Sequence, residues 1–111
     1  MLKKANRLSK DREIKQVFAR GRRFFNPFLQ LRYSKTQGAP KWAYVISTKV
    51  SKSAVKRNRL KRILREWTQK KLGACAGGDY VLVVKPAAAA VEEKNLLASL
   101  GQLLSNARLL Q

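Results

Sequence analysis

The sequence predicts a single domain of the α+β class, with elements in the order α-β-β-β-α-β-α. Three observations carry that prediction. The 111 residues suit one domain, and an apolar fraction of 45% is enough to build a core. Three segments repeat apolar residues at helical spacing, while others alternate or run apolar over strand lengths between Gly, Pro and Asn. No internal repeat and no linker divides the chain, so residues 1–111 read as one unit.

The first helix reads from SKDREIKQVFARG, residues 9–21. Ser9 is its expected N-cap, Ile14, Val17 and Phe18 lie at helical spacing, and Gly21 ends it. Asp11 and Glu13 sit in the first turn, where they oppose the positive end of the helix dipole. RRFF, residues 22–25, forms a short strand set off by Asn26-Pro27. In NPFLQLRYS, Leu29, Leu31 and Tyr33 take one face and Phe28, Gln30 and Arg32 the other. KTQGAP is a turn by its Gly and Pro. KWAYVIST then alternates Trp42, Tyr44 and Ile46 against Ala43, Val45 and Ser47.

The loop KVSK leads to SAVKRNRLKRILREW, residues 53–67. Ser53 is the expected N-cap of this second helix. Leu60, Ile63, Leu64 and Trp67 follow the i, i+3, i+4, i+7 rule and make one apolar stripe. At about 100° per residue, Arg57, Asn58, Lys61, Arg62 and Arg65 fall across the opposite face, with Arg59 flanking it and Lys56 near the stripe's edge. Like charges three and four apart on a helix repel, so this face calls for a polyanion. After a loop containing Gly77-Gly78, YVLVVK is apolar on both faces and therefore central, and Pro86 ends it. From about Val91 onward, Leu96, Leu97, Leu100, Leu103 and Leu104 give a last amphipathic helix, with Glu92 and Glu93 at its start.

The charge balance bounds the function. Twenty-five Lys and Arg against six Asp and Glu give +19. That excess is far beyond what solubility needs and points to nucleic acid or an anionic surface. No apolar run reaches the roughly 18–20 residues of a membrane span, and no apolar stretch follows the charged opening MLKKANRLSKDRE, so neither a membrane partner nor a signal peptide is expected. The lone Cys75 fits a reducing compartment and reads as a half-buried thiol rather than a nucleophile, since the chain has no His to activate it. Asp11, Glu13, Glu66, Asp79, Glu92 and Glu93 are scattered and show no motif for metal-assisted or general-base hydrolysis. No residue of this chain is expected to be catalytic.

AVKRNRLKRILREW resembles the signature helix of the bacterial ribonuclease P protein subunit family, marked by Arg-Asn-Arg and further spaced basic residues. The resemblance covers nearly the whole chain: LKKANRLSKDREIKQVFARGRRF is similar to that family's opening helix, YVISTKVSKSAVKRNR to its strand and loop, and GGDYVLVVKP to its last strand. It implies a small α–β sandwich with a left-handed βαβ crossover. It implies a role in maturing tRNA 5′ ends, with a large catalytic RNA and Mg²⁺ performing the hydrolysis, the metal held mainly by RNA and substrate. The implied partners are that RNA, bound one to one, and precursor tRNA in the cytoplasm.

By matching positions, the resemblance assigns Arg57, Arg59, Lys61, Arg62 and Arg65 to the catalytic RNA and Asn58 to the side of the substrate's 5′ leader. It also implies a leader cleft between the first helix and the sheet. Phe18 matches one of its aromatic positions, and either Arg32 or Tyr33 a strand position, with Lys49 and Lys52 as cations at the rim. Aromatic stacking with backbone cations is the usual way to hold single-stranded RNA. For Phe18 the residues alone favour core packing. Two positions depart from the family: Ile14 stands where a second aromatic is common, and Ser51 where Gly is common. Other readings of the composition are a ribosomal or chaperone-like RNA binder, a DNA-binding module and a protein-only nuclease. The ordered Arg-Asn-Arg segment, the lack of a helix-turn-helix pairing and the missing His weigh against them in turn.

Overall fold

The computed structural model describes residues 4–110; Met1–Lys3 of the charged opening lie outside the described residues. The expected order is present: α1 (Asp11–Arg20), β1 (Arg22–Phe25), β2 (Leu29–Ser34), β3 (Lys41–Val45), α2 (Ala54–Lys71), β4 (Asp79–Val84) and α3 (Glu93–Asn106). Short 3₁₀ turns at Lys4–Asn6, Leu72–Ala74 and Pro86–Ala90 supplement it. The four strands form one sheet in the order β1-β2-β4-β3. β1 and β4 both pair antiparallel with β2, whereas β3 and β4 run parallel and are joined through α2, a βαβ unit.

Strand parity separates two packing faces. Leu29, Leu31 and Tyr33 of β2, Trp42 of β3, and Tyr80, Leu82 and Val84 of β4 point to one side. There they join Leu64 of α2 and Leu96, Leu100, Leu103 and Leu104 of α3 in the main core. The aromatic rings are continuous across this layer: Tyr80 stacks on Trp42 at 4.3 Å and meets Tyr33 at 4.8 Å. Val81 points to the other side, where Val17 of α1 and Leu8 bury it in a second, smaller cluster. β4 is therefore buried on both faces, which is why YVLVVK does not alternate.

Two local details position the functional surfaces. The Ser53 side chain accepts the Lys56 N–H at 3.3 Å and caps α2 as expected. α1 differs: its N-cap is Lys10, with no side-chain hydrogen bond, because the helix starts one residue later than a Ser9 cap requires. Gly21 ends α1 for lack of space. A Cβ there would stand 2.3 Å from the Val17 carbonyl oxygen and 3.0 Å from that of Tyr33, so only glycine lets the helix end close onto β2.

Candidate nucleic-acid interface

α2 is anchored by its apolar side. Leu64 is fully buried, and Leu60, Ile63 and Trp67 are half-buried against the core. One turn on, the buried Thr68 hydroxyl donates to the Leu64 carbonyl at 2.8 Å and accepts from Tyr44 Oη at 2.7 Å. Burial pushes the Tyr44 phenol up strongly, so this bond keeps its proton. These contacts hold the helix in place against the repulsion among its own cations.

The opposite face sorts those cations by what they touch. Asn58 and Arg62 are exposed and Lys61 and Arg65 half-buried, and none of the four makes a hydrogen bond or ion pair among the described residues. Arg57 is partly committed: its Nη1 donates to the Ser51 carbonyl at 2.8 Å, tying the helix to the loop before it. Ser51 thus contributes through its backbone, and it does so without a left-handed φ; among the described residues Arg108 and Gly78 have one. Arg59 is committed further. Its Nε donates to Glu93 Oε1 at 2.6 Å, across to the start of α3, and this contact raises the Arg59 pKa. Lys49 and Lys52 are both exposed in the loop between β3 and α2, at the N-terminal end of the basic helix.

The second surface is the sheet face beside α1. Val17 carries the packing, and Ile14 sits half-buried at the margin of its cluster. Phe18 is 38% exposed, so the core packing favoured by the residues alone gives way to a surface position. Its ring lies 5.2 Å from the Arg32 guanidinium, whose Nη1 also donates to the Phe18 carbonyl at 3.1 Å. Arg32 thereby stacks on the ring and caps the end of α1, while its buried Nε has no hydrogen-bond partner among the described residues.

Parity puts Arg32 and Tyr33 on opposite faces of the sheet. Tyr33 is buried on the other side of the sheet, where its hydroxyl donates to the Gly77 carbonyl at 2.6 Å. Burial raises its pKa, with Arg22 opposing. Tyr33 therefore does not share a surface with Phe18, and this candidate is corrected to a core residue.

Sequence reasoning missed the continuation of this face. Phe25, Gln30, Val83 and Val45 are register partners in one row across all four strands, on the side that Arg32 and Val81 occupy. Phe25 is 66% exposed and Val45 38%. Lys85 Nζ lies 5.3 Å from the Phe25 ring and donates to the Asn26 carbonyl at 2.8 Å. The signal was present: alternation in β3 already placed Val45 opposite Trp42. The result is an apolar and aromatic sheet face, with cations Arg32 and Lys85 against its rings.

The acids do not assemble. Among the described residues no group of three or more His, Cys, Asp or Glu could hold a metal ion. Glu13 pairs with Lys41 at 3.8 Å, and burial, helped by Glu13, raises the Asp79 pKa. No described helix is long and apolar enough to cross a membrane.

Comparison with known proteins agrees with this arrangement. The family model for ribonuclease P matches residues 2–108. A ribonuclease P protein component from Xanthomonas campestris pv. campestris is 37% identical over 91 residues, covering 82% of this chain and 62% of its own length. One from Xylella fastidiosa is 38% identical over 88 residues, covering 79% and 65%. The chain thus spans rather less than two thirds of the length of these relatives. The fold matches the Staphylococcus aureus RNase P protein with a TM-score of 0.90 at 20% identity, covering 97% of this chain and all of that one. It matches the Thermotoga maritima RNase P protein with a TM-score of 0.81 at 24% identity, covering 90% and 96%. With the match running almost end to end and including the basic helix, the chain belongs to the ribonuclease P protein family.

Proposed function

We propose that this chain is the protein subunit of ribonuclease P, binding a catalytic RNA through α2 and the 5′ leader of precursor tRNA through the sheet face beside α1. The observation that carries the reading is the division of labour on α2. The Lys61, Arg62 and Arg65 side chains make no hydrogen bond or ion pair among the described residues, on a helix firmly anchored by Leu64. Such a face has phosphate as its natural partner, and each phosphate neutralised releases counterions from the RNA. Phe18, with Arg32 stacked on it, supplies a ring and a cation for a flexible single strand. Ile14 offers apolar contact in place of a second ring, and Asn58, Lys49 and Lys52 complete the leader side.

The protein's work is binding and positioning; hydrolysis belongs to the RNA. Mg²⁺ is the metal that the family implies, and in this reading its ligands are mainly RNA and substrate oxygens; among the described residues no three His, Cys, Asp or Glu gather to hold it. The place of action is the cytoplasm, where the free Cys75 stays reduced. The test is cleavage of leader-bearing precursor tRNA at low Mg²⁺ with catalytic RNA, protein or both. Protein alone leaves the substrate intact, and adding it to the RNA restores cleavage at lower Mg²⁺. Robust cleavage by RNA-free protein, persisting after removal of contaminating nuclease, would overturn the proposal.

A further inference from the structure

We propose that the groove between the N-terminal half of α2 and the 3₁₀ turn after β4 takes the base of an unpaired guanine in RNA, with the Glu93 carboxylate reading its Watson–Crick edge. The inference rests on the RNA-binding reading above and adds a base-selective contact to it. The groove has a volume of about 560 Å³, with Val55, Leu60, Ala88 and Val91 among its apolar walls and Arg59 and Glu93 at its rim. Val55 is 78% exposed, an apolar side chain set in the first turn of the basic helix. It adds little to the core, but it suits the flat, apolar face of a base.

Charge decides which occupant fits. Glu93 is the acid in a groove that also holds Lys56 and Arg59; those cations suit phosphates, and the useful partner of the carboxylate on RNA is a base edge that donates hydrogen bonds. Guanine presents two adjacent donors there, N1–H and the N2 amino group. Adenine and cytosine each offer one amino donor beside an acceptor, and uracil one imino donor between two carbonyls. Glu93 is held for such a contact: Oε1 accepts from Arg59 Nε at 2.6 Å, and Oε2 makes no hydrogen bond among the described residues. Arg59 and the exposed Lys56 line the same groove and supply cations for the phosphates that flank the base.

The test begins with the protein and mononucleotides, so that it stands apart from any RNA partner. The protein is titrated separately with GMP and AMP, which carry the same charge, while the methyl resonances of Val55, Leu60, Ala88 and Val91 are followed. GMP should move these methyls and bind about tenfold more tightly than AMP, in the range of one bidentate base contact. Glu93→Gln keeps an acceptor for Arg59 but removes the paired carboxylate oxygens. It should bring the GMP-to-AMP ratio to about one without lowering the melting temperature. Equal affinity for the two nucleotides, or shifts confined to other residues, overturns the proposal.

A glyoxal reagent that adds across N1 and N2 of unpaired guanines then identifies the source. A guanine protected by the wild-type protein and not by Glu93→Gln, in the catalytic RNA or in the precursor tRNA, names the RNA. Protection that is absent, or identical with both proteins, sinks the guanine assignment while leaving the subunit reading intact. Failure to bind either RNA sinks the subunit reading instead, and the nucleotide titration still decides the groove.

Discussion

Replacing Phe18 with alanine separates recognition from folding, because the ring is neither free of the protein nor buried within it. Full burial of a Phe side chain is worth about 1.5–3 kcal/mol. With 38% of the residue exposed, roughly three fifths of that applies, about 1–2 kcal/mol. The Arg32 guanidinium 5.2 Å from the ring adds about 0.5–1 kcal/mol at an exposed site. Phe18→Ala should therefore destabilise the fold by about 2 kcal/mol, less than the 3–5 kcal/mol typical of a core phenylalanine. On the RNA side, an aromatic stack on a base contributes about 1–3 kcal/mol, roughly 5- to 150-fold in affinity. Binding of leader-bearing precursor tRNA to the holoenzyme should fall by that factor, and binding of mature tRNA far less. Phe18→Leu makes the reasoning testable, since it restores apolar volume without a π face. Its melting temperature should recover most of the loss while leader affinity does not. If leucine restores leader affinity, or if both tRNAs weaken equally in Phe18→Ala, stacking is not what this residue provides.

Arg62→Ala and Arg65→Ala should each flatten the slope of log K against log[salt] for the catalytic RNA by roughly 0.7–0.9, because each removes one phosphate contact without opening a cavity. Unchanged slopes would show a face that is merely solvated. Gly21→Ala drives a Cβ into two backbone carbonyls that cannot rotate away, and should cost about 1–3 kcal/mol, read from the denaturant midpoint. Cys75 gives an alkaline signature. Burial lifts its thiol from the ordinary 9.0 to about 11, so above pH 9 the unfolded chain gives up a proton that the folded chain retains. Its stabilising contribution is complete below pH 9 and is lost as pH rises towards 11; Cys75→Ala should flatten the fall of unfolding free energy across that window.

The order of elements was legible because each helix and strand carries its own periodicity. Leu60, Ile63, Leu64 and Trp67 needed no tertiary information to define a buried stripe, and Leu29, Leu31 and Tyr33 none to define a face. The start of α1 was not legible to the residue, since Ser9 and Lys10 compete for the cap and the structure uses Lys10. Register was legible only in principle. Alternation already put Arg32 and Tyr33 on opposite faces, but which face meets α1 depends on how Val17 packs over Val81. The exposure of Phe25 was not legible either, because composition cannot show that its strand lies at the sheet edge.

The basic helix shows most clearly what periodicity cannot supply. A helical wheel gives its cations one common role, whereas the fold divides them by partners distant in sequence. Arg59 meets Glu93, 34 residues away, and Arg57 meets the Ser51 carbonyl before the helix begins. Each of these contacts turns a repulsive charge into a tie that fixes the helix against the rest of the chain. Among the described residues Lys61, Arg62 and Arg65 receive no such tie, so their mutual repulsion persists in the free protein. Phosphates that bind there gain the direct attraction and relieve that repulsion together. A truncation of Arg62 should therefore reduce RNA affinity while leaving the free protein's stability unchanged or slightly raised, and a fall in stability of more than about 0.5 kcal/mol would place Arg62 among the structural cations instead.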